Sequence, residues 1–337
     1  MPCMDELKRT SRAGRITIIG CGNVGTTCAY ALLENPLVRE LVLIDQDSRK
    51  AEGEAMDLQH AVPLGMAVRV IAGSYKDAAD SAIVILTAGA ASKPEESRLD
   101  LLERNLAITL ECVKSLMAES FDGILVITTN PVDVLALVAQ RTSGLPVSQV
   151  IGSGTILDTA RLRALLGSEL NIDARSVHAS IIGEHGDSSV AVWSSVYIGG
   201  IPLHRYPGAD QLPSYEKMLT SVHQAAQDVA TRKGNTCFAI ASCVNQICGS
   251  ILRDEQRILA VSTLMEGQYG LRDVYLSTLC IVGARGVERV LELPLSAEEN
   301  TALHASANVL REAFADISKA SDVTSQMRKR LGFSPAA

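Results

Sequence analysis

Six residues near the start of the chain, Gly20-Cys21-Gly22-Asn23-Val24-Gly25, leave the segment around them few ways to fold. They form a Gly-x-Gly-x-x-Gly run between a β-branched stretch at 16–19 and a stretch at 26–33 that reads as a helix. A second apolar run, at 41–44, ends on Asp45. Glycine patterns of this kind arise by chance, but the order strand, glycines, helix, strand, acid is what the first βα turn of a dinucleotide-binding sheet requires. Gly20 permits the tight turn, Gly22 lets the backbone approach a pyrophosphate, and Gly25 allows close helix–strand packing. The helix N-terminus supplies free N–H groups for the phosphates. Asp45 would accept hydrogen bonds from a ribose diol and repel a 2′-phosphate, which favours NAD over NADP. The competing reading is a tight turn followed by an ordinary surface aspartate.

The rest of the first half repeats the pattern. Apolar runs at 68–72, 83–86, 124–128 and 150–151 alternate with helix-like stretches, notably 48–61 and 98–118. Such alternation indicates a parallel sheet covered on both faces, with right-handed crossovers. Beyond about residue 152 the character changes. A helix is expected at 157–166, strands at 176–182 and 190–197, and a long helix at 214–248. Strands at 258–263 and 274–281 and an amphipathic helix at 297–317 follow. The chain therefore reads as α/β: a Rossmann doubly wound parallel sheet in residues 1–150, then an α+β substrate domain in residues 151–337. The boundary is soft, because no linker marks it. A length of 337 residues agrees with roughly two domains.

Charge and cysteine usage exclude several functions. A formal net charge of -7 gives no electrostatic footprint for nucleic acid or anionic lipid. The first 15 residues mix both charge signs with no apolar core, so no export signal is expected. No apolar run approaches the ~20 residues of a membrane helix. The eight cysteines form no Cys-x-x-Cys pair and scatter through apolar stretches. They read as reduced, mostly buried thiols, with no metal site expected. A soluble, cytoplasmic protein follows.

Several segments carry chemistry. The loops Thr87-Ala88-Gly89-Ala90 and Thr128-Thr129-Asn130-Pro131 follow apolar strands, where ligands bind in open α/β sheets. Asn130 could position a nicotinamide or a substrate. Gly183-Glu184-His185-Gly186-Asp187-Ser188 places a histidine between glycines, free to approach a small molecule. In the helix opening near Leu157, Asp158 and Arg161 share a face, whereas Arg163 lies about 200° round from Arg161. Glu96-Ser97-Arg98 opens another helix after a polar loop, as a lid carrying an arginine would. Taken singly, His185 reads equally well as a surface histidine, Asp158 as a helix cap and Arg98 as a solvated charge.

Together these segments carry a resemblance. The glycine turn, Thr-Ala-Gly, Glu-Ser-Arg-Leu-Asp-Leu, Thr-Asn-Pro-Val-Asp, Gly-Ser-Gly-Thr-x-Leu-Asp-Thr-Ala-Arg and Gly-Glu-His-Gly-Asp-Ser are similar to the L-lactate/malate dehydrogenase family. The likeness is closest to its bacterial L-lactate branch and runs from about Arg15 to Phe314. It implies an NAD-dependent oxidoreductase acting on a 2-keto or 2-hydroxy acid such as pyruvate or lactate. His185 would carry the proton, Asp158 would hold the imidazolium, Arg161 would clamp the substrate carboxylate, and Arg98 would polarise the keto group. Asn130 would bind near the carbonyl, with Ser92 and Thr236 lining the side-chain pocket. The cofactor would be held by Gly20, Gly22, Asn23, Val24, Gly25, Asp45, Lys50, Tyr75, Thr87, Gly89, Ala90, Thr128, Asn130, Ser153 and Ile240. Arg163 and His178 match positions that bind fructose 1,6-bisphosphate in allosteric relatives, although unregulated relatives carry the same residue types. A homotetramer or homodimer working in glycolysis is implied.

One departure bears on specificity. Lactate dehydrogenases usually carry Gln, and malate dehydrogenases Arg, at the position occupied here by Ser92. Without an arginine there, a second substrate carboxylate has no partner. A serine enlarges the pocket, and methylene-scale changes in such pockets are worth ~1–3 kcal/mol. The expectation is a lactate-type enzyme tolerant of bulkier keto acids. The rivals are a malate dehydrogenase and a catalytically silent NAD-binding sensor.

Overall fold

A computed structural model describes residues 14–65, 67–90 and 98–317. Along the first half, β1 (Arg15–Ile19), α1 (Asn23–Leu33), β2 (Glu40–Ile44), α2 (Ser48–Ala61), β3 (Arg69–Ala72) and α3 (Tyr75–Ala78) come first. β4 (Ile83–Leu86), α4 (Arg98–Ala118), β5 (Ile124–Ile127), α5 (Val132–Ser143) and β6 (Val150–Gly152) complete the alternation. The second half begins with α6 (Ile156–Glu169) and the short strands β7 (Val177–His178), β8 (Ile181–Ile182), β9 (Val190–Ala191), β10 (Tyr197–Ile198) and β11 (Ile201–Pro202). It continues with α7 (Tyr215–Lys233), α8 (Phe238–Arg253), β12 (Arg257–Glu266), β13 (Arg272–Gly283), β14 (Gly286–Leu291) and α9 (Ala297–Ile317).

The main sheet has the strand order β14-β13-β12-β6-β5-β4-β1-β2-β3. Strands β1 to β6 are mutually parallel. From β1 the chain winds outward through β2 and β3, then returns to the other side of β1 with β4. That reversal leaves a crevice at the carboxyl ends of β1 and β4, where doubly wound sheets bind ligands. Alternate residues of the central strands feed opposite faces, as the pleat demands. In β4, Val84 and Leu86 face α4 and α5, whereas Ile83 and Ile85 face the cluster under α1, α2 and α8. Both faces are covered, which explains runs of continuous rather than alternating hydrophobicity.

The second half departs from expectation in several places. The strand expected over 176–182 is two strands, β7 pairing with β10 and β8 with β9 in a different sheet. The helix expected over 214–248 is two helices, because Gly234 adopts a left-handed conformation (φ +93°) and ends α7. A glycine there caps the helix at no steric cost. The strand expected over 190–197 is broken: β9 and β10 flank a 3₁₀ turn at Trp193–Ser195. Finally, the late strands join the main sheet, with β12 antiparallel to β6 and Ser262 opposite Gly152. Strand β14, unanticipated, forms the outer edge. A third apolar cluster lies under α6, α7 and β7. All seven cysteines among the described residues are buried and unpaired. Among the described residues, no helix is long and apolar enough to cross a membrane, and no His/Cys/Asp/Glu group is arranged to hold a metal.

Candidate active site

The glycine turn is built as its spacing implies. Gly20 has φ +106°, and a Cβ there would lie 2.4 Å from the Ala88 nitrogen. A Cβ on Gly25 would lie 1.9 Å from the Gly20 carbonyl oxygen, so α1 docks where only glycine fits. Above Gly22, by contrast, a Cβ would meet nothing within 4 Å. Gly22 offers no side-chain cap to α1. The first-turn N–H groups around Asn23 and Val24 therefore have no side-chain cap and lie at the positive end of a helix dipole, a cradle suited to a pyrophosphate.

Asp45 stands at the end of β2 beside this turn. Its Oδ2 accepts from the Cys21 N–H at 2.7 Å, and its Oδ1 accepts from the Asp47 N–H at 3.1 Å. Each oxygen keeps lone-pair capacity for a diol. Lys50 is exposed in the first turn of α2. Thr87 donates to the Gly20 carbonyl at 2.7 Å and locks the turn to β4. Thr128 donates to the Leu86 carbonyl at 3.0 Å, joining the β5 loop to its neighbour. Gly89 and Ala90 continue this rim, and Ser153 follows β6 with its N–H bonded to the Ile127 carbonyl at 2.8 Å. Tyr75 packs toward α4, where burial and a bond with Cys112 push its phenol pKa upward. Val24 and Ile240 pack at the edge of one apolar cluster, because α8 lies along α1. Thr236 sits in the turn between α7 and α8, bringing the second half of the chain to the glycine end.

His185 is the centre of the other end. Its Nδ1 lies 2.6 Å from Asp158 Oδ2, while Arg161 Nη1 donates to Asp158 Oδ1 at 3.0 Å. One aspartate thus receives an imidazole on one oxygen and a guanidinium on the other. An ionised carboxylate only accepts, so Nδ1 carries the proton and Nε2 is left for a substrate. Burial works against the charge on Asp158, but the His185 bond and charge and the Arg161 charge outweigh it and lower its pKa. For His185, burial disfavours the imidazolium; the Asp158 bond and charge, with the Asp133 charge, reverse that and raise its pKa. Arg163, two residues past Arg161, turns away and donates from Nε to the Ala179 carbonyl at 2.9 Å, next to His178.

Arg98 is the first residue of α4, but its guanidinium and Ser92 lie outside the described residues. Asn130 is exposed, joined to Pro131 by a cis bond, and its carbonyl accepts from Asn105 Nδ2 at 2.8 Å. Asn105 also accepts from the Ala90 N–H at 2.7 Å, so one buried amide ties both rim loops together. Sequence reading passed over Asn105. Its signal was a polar residue between Leu102 and Leu106 on a buried helix face. It also passed over Asp133, which accepts from the His185 backbone N–H at 2.8 Å. Asp133 had a signal, since it closes the Thr-Asn-Pro-Val-Asp motif. That contact carries the Asn130 loop to the histidine.

Comparison with known proteins agrees with this geometry. Residues 14–152 match the profile for the lactate/malate dehydrogenase NAD binding domain, and residues 155–321 match that for the alpha/beta C-terminal domain of the same family. The chain is 46% identical over 302 residues to an L-lactate dehydrogenase of Acetivibrio thermocellus, spanning 88% of this chain and 95% of that one. It is 44% identical over 307 residues to an L-lactate dehydrogenase of Priestia megaterium, spanning 90% and 96%. Among solved structures, the minor L-lactate dehydrogenase from Enterococcus mundtii superposes with a TM-score of 0.87 at 40% identity, covering 91% of this chain and 98% of that one. A lactate dehydrogenase from a Medee basin deep-sea metagenome library gives 0.86 at 41%, covering 91% and 99%. A glycine turn built for a dinucleotide, a histidine held by an aspartate, and matches spanning nearly all of the described chain have one meaning: this protein belongs to the lactate/malate dehydrogenase family.

Proposed function

We propose that the chain is an NAD-dependent L-lactate dehydrogenase that interconverts pyruvate, or a related 2-keto acid, and its L-2-hydroxy acid. The observation that carries this is the His185–Asp158–Arg161 arrangement, which a protein that only bound NAD would not need. Bound NADH supplies the hydride. Every other task falls to the protein. Protonated His185 donates from Nε2 to the substrate oxygen during reduction and takes the proton back during oxidation. Asp158 keeps the ring oriented and its charge neutralised. Arg161 meets the substrate carboxylate with a two-pronged bond. Arg98 and Asn130 stabilise the charge that grows on the carbonyl oxygen, and closure of the Arg98 lid excludes water.

Residues 1–150 serve the cofactor and residues 151–337 the substrate. The named relatives are L-lactate dehydrogenases, and Ser92 supplies no charge for a second carboxylate; both favour lactate chemistry over malate. A serine at position 92, where the family usually carries Gln, favours tolerance of bulkier keto acids. The enzyme works in glycolysis as a cytoplasmic homotetramer or homodimer. Arg163 and His178 bind fructose 1,6-bisphosphate, a reading supported by the Arg163 bond to the Ala179 carbonyl, one residue along the chain from His178.

The test is NADH oxidation with pyruvate, 2-ketobutyrate, 2-ketoisocaproate, phenylpyruvate and oxaloacetate, with and without fructose 1,6-bisphosphate. Turnover of pyruvate and the larger monocarboxylates, with oxaloacetate poorest, is expected. Preference for oxaloacetate would replace the lactate assignment. A pyruvate preference of several hundred-fold over all others would remove the broad pocket. Rates unchanged by the sugar bisphosphate would remove the regulatory reading.

A further inference from the structure

The loop that presents His185 is held from beneath by polar groups that no role described so far explains. Gly183 exchanges two backbone hydrogen bonds with Ser277 of β13, at 2.8 and 2.9 Å. Glu184 N–H donates to Ser306 Oγ of α9 at 2.8 Å. The His185 N–H then donates to Asp133 Oδ2 at 2.8 Å, and Asp133 Oδ1 faces Ser277 Oγ at 3.5 Å. The same Ser277 Oγ accepts from the N–H of Thr155, which leads into the helix carrying Asp158. Asp133 is 2% exposed, in the first turn of α5. A carboxylate that only stabilised that helix end would face the helix's own first-turn N–H groups. This one reaches across to another element.

We propose that Asp133 is a positioning residue for His185: it fixes the main chain that presents the imidazole and lends a second negative charge that holds the imidazolium. The histidine is thereby held between two carboxylates, Asp158 on its ring and Asp133 behind its backbone. The inference rests on reading His185 as the proton carrier.

The charged and titratable groups around Asp133 are few. His185 and Glu184 face it from the loop, while the neutral hydroxyls of Ser262 and Ser277 face it from β12 and β13. Asp158 and Arg161 of α6 face His185 itself. Burial, with only partial compensation from Ser262 and the His185 N–H, pushes the Asp133 pKa up to about 6. Its charge is therefore present across the range in which His185 loses its proton, because the His185 pKa is raised above 6.5.

Asp133→Asn separates charge from bond, since the amide oxygen still accepts the His185 N–H. The expected variant binds NADH with unchanged affinity by fluorescence titration and keeps its pyruvate KM within about twofold, while kcat falls about tenfold. The alkaline limb of its kcat/KM profile moves to lower pH, so kcat/KM is lost more severely at about pH 8 than at about pH 6. Asp133→Ala loses more kcat, because the N–H is orphaned as well. A profile that superimposes on wild type, or a loss of kcat with the limb unmoved, overturns the proposal. Should Asp133→Asn not fold, the wild-type enzyme decides. The His185 ring signal, assigned among the six histidines by its loss in His185→Asn, should titrate with a secondary inflection near 6 from Asp133. A single-step curve overturns the proposal. If His185→Asn retains turnover, the proton-carrier reading fails; if that variant is inactive and the Asp133 tests fail, only this inference falls.

Discussion

A hydrogen bond of 2.6 Å between His185 Nδ1 and Asp158 Oδ2 sets the pH behaviour of the enzyme. On the proposed mechanism, reduction of a keto acid consumes the imidazolium proton of His185. Its kcat/KM should be flat at low pH and fall as pH rises through the raised His185 pKa, above the ordinary 6.5. Oxidation needs the neutral ring and should rise through the same window. Asp158→Asn leaves burial as the dominant influence on the ring, so the limb moves to lower pH and kcat drops by about 10²–10⁴-fold. Paired pH–rate profiles check this; an unmoved limb would contradict it. Arg161 supports a different prediction. A charge-assisted hydrogen bond contributes about 1.5–3 kcal/mol. Arg161→Lys, which keeps the charge but loses the fork, should raise the pyruvate KM about ten- to a hundredfold with little change in NADH affinity. Helix spacing alone put Asp158 and Arg161 on one face; the roles proposed for them and for His185 came from the family resemblance, because a single histidine or aspartate reads equally well as a surface or capping residue. Asn105 and Asp133 were less legible, since each works through a partner distant in the chain that only the fold supplies.

The strands of the first half, with α2 and α4, were legible almost to the residue, whereas the bounds of α3 and α5 were not. These strands are continuous apolar runs closed by glycine or polar loops, so local composition and tertiary burial agree. The second half was harder to read. Its short strands β7 to β11 carry two residues each, too few for a period to show. The break between α7 and α8 depends on Gly234 taking φ +93°, which helical periodicity across 214–248 masks. The glycine turn yields the prediction for this scale. In Gly25→Ala the new methyl would meet a backbone carbonyl at 1.9 Å, which cannot yield as a side-chain tip would. Helix α1 must then move off β1. NADH affinity should fall at least tenfold and Tm should drop, as read by fluorescence titration and thermal unfolding. Wild-type affinity in that variant would mean that the close helix–strand packing is not what shapes the cradle.

At the scale of the whole molecule, the two halves share their cores. One large cluster runs from Ile19 and Leu86 to Val274 and Leu310, and the other from Ile16 and Ile85 to Val261 and Val287. The sheet crosses residue 150 without interruption, β6 pairing β12. Division of labour between cofactor and substrate ends therefore does not imply separate folding, and calorimetry should show one unfolding transition that NADH shifts upward as a unit. Two separated transitions would contradict the shared core. The same continuity fixes the α1 glycine turn and the histidine beyond β8 in one framework, as the proposed reaction requires. The most direct test of the account is turnover in His185→Asn beside its NADH titration. NADH affinity should stay within about twofold of wild type, and the rate of pyruvate reduction should fall about 10²–10⁴-fold. Unimpaired reduction by that variant would show that another group delivers the proton.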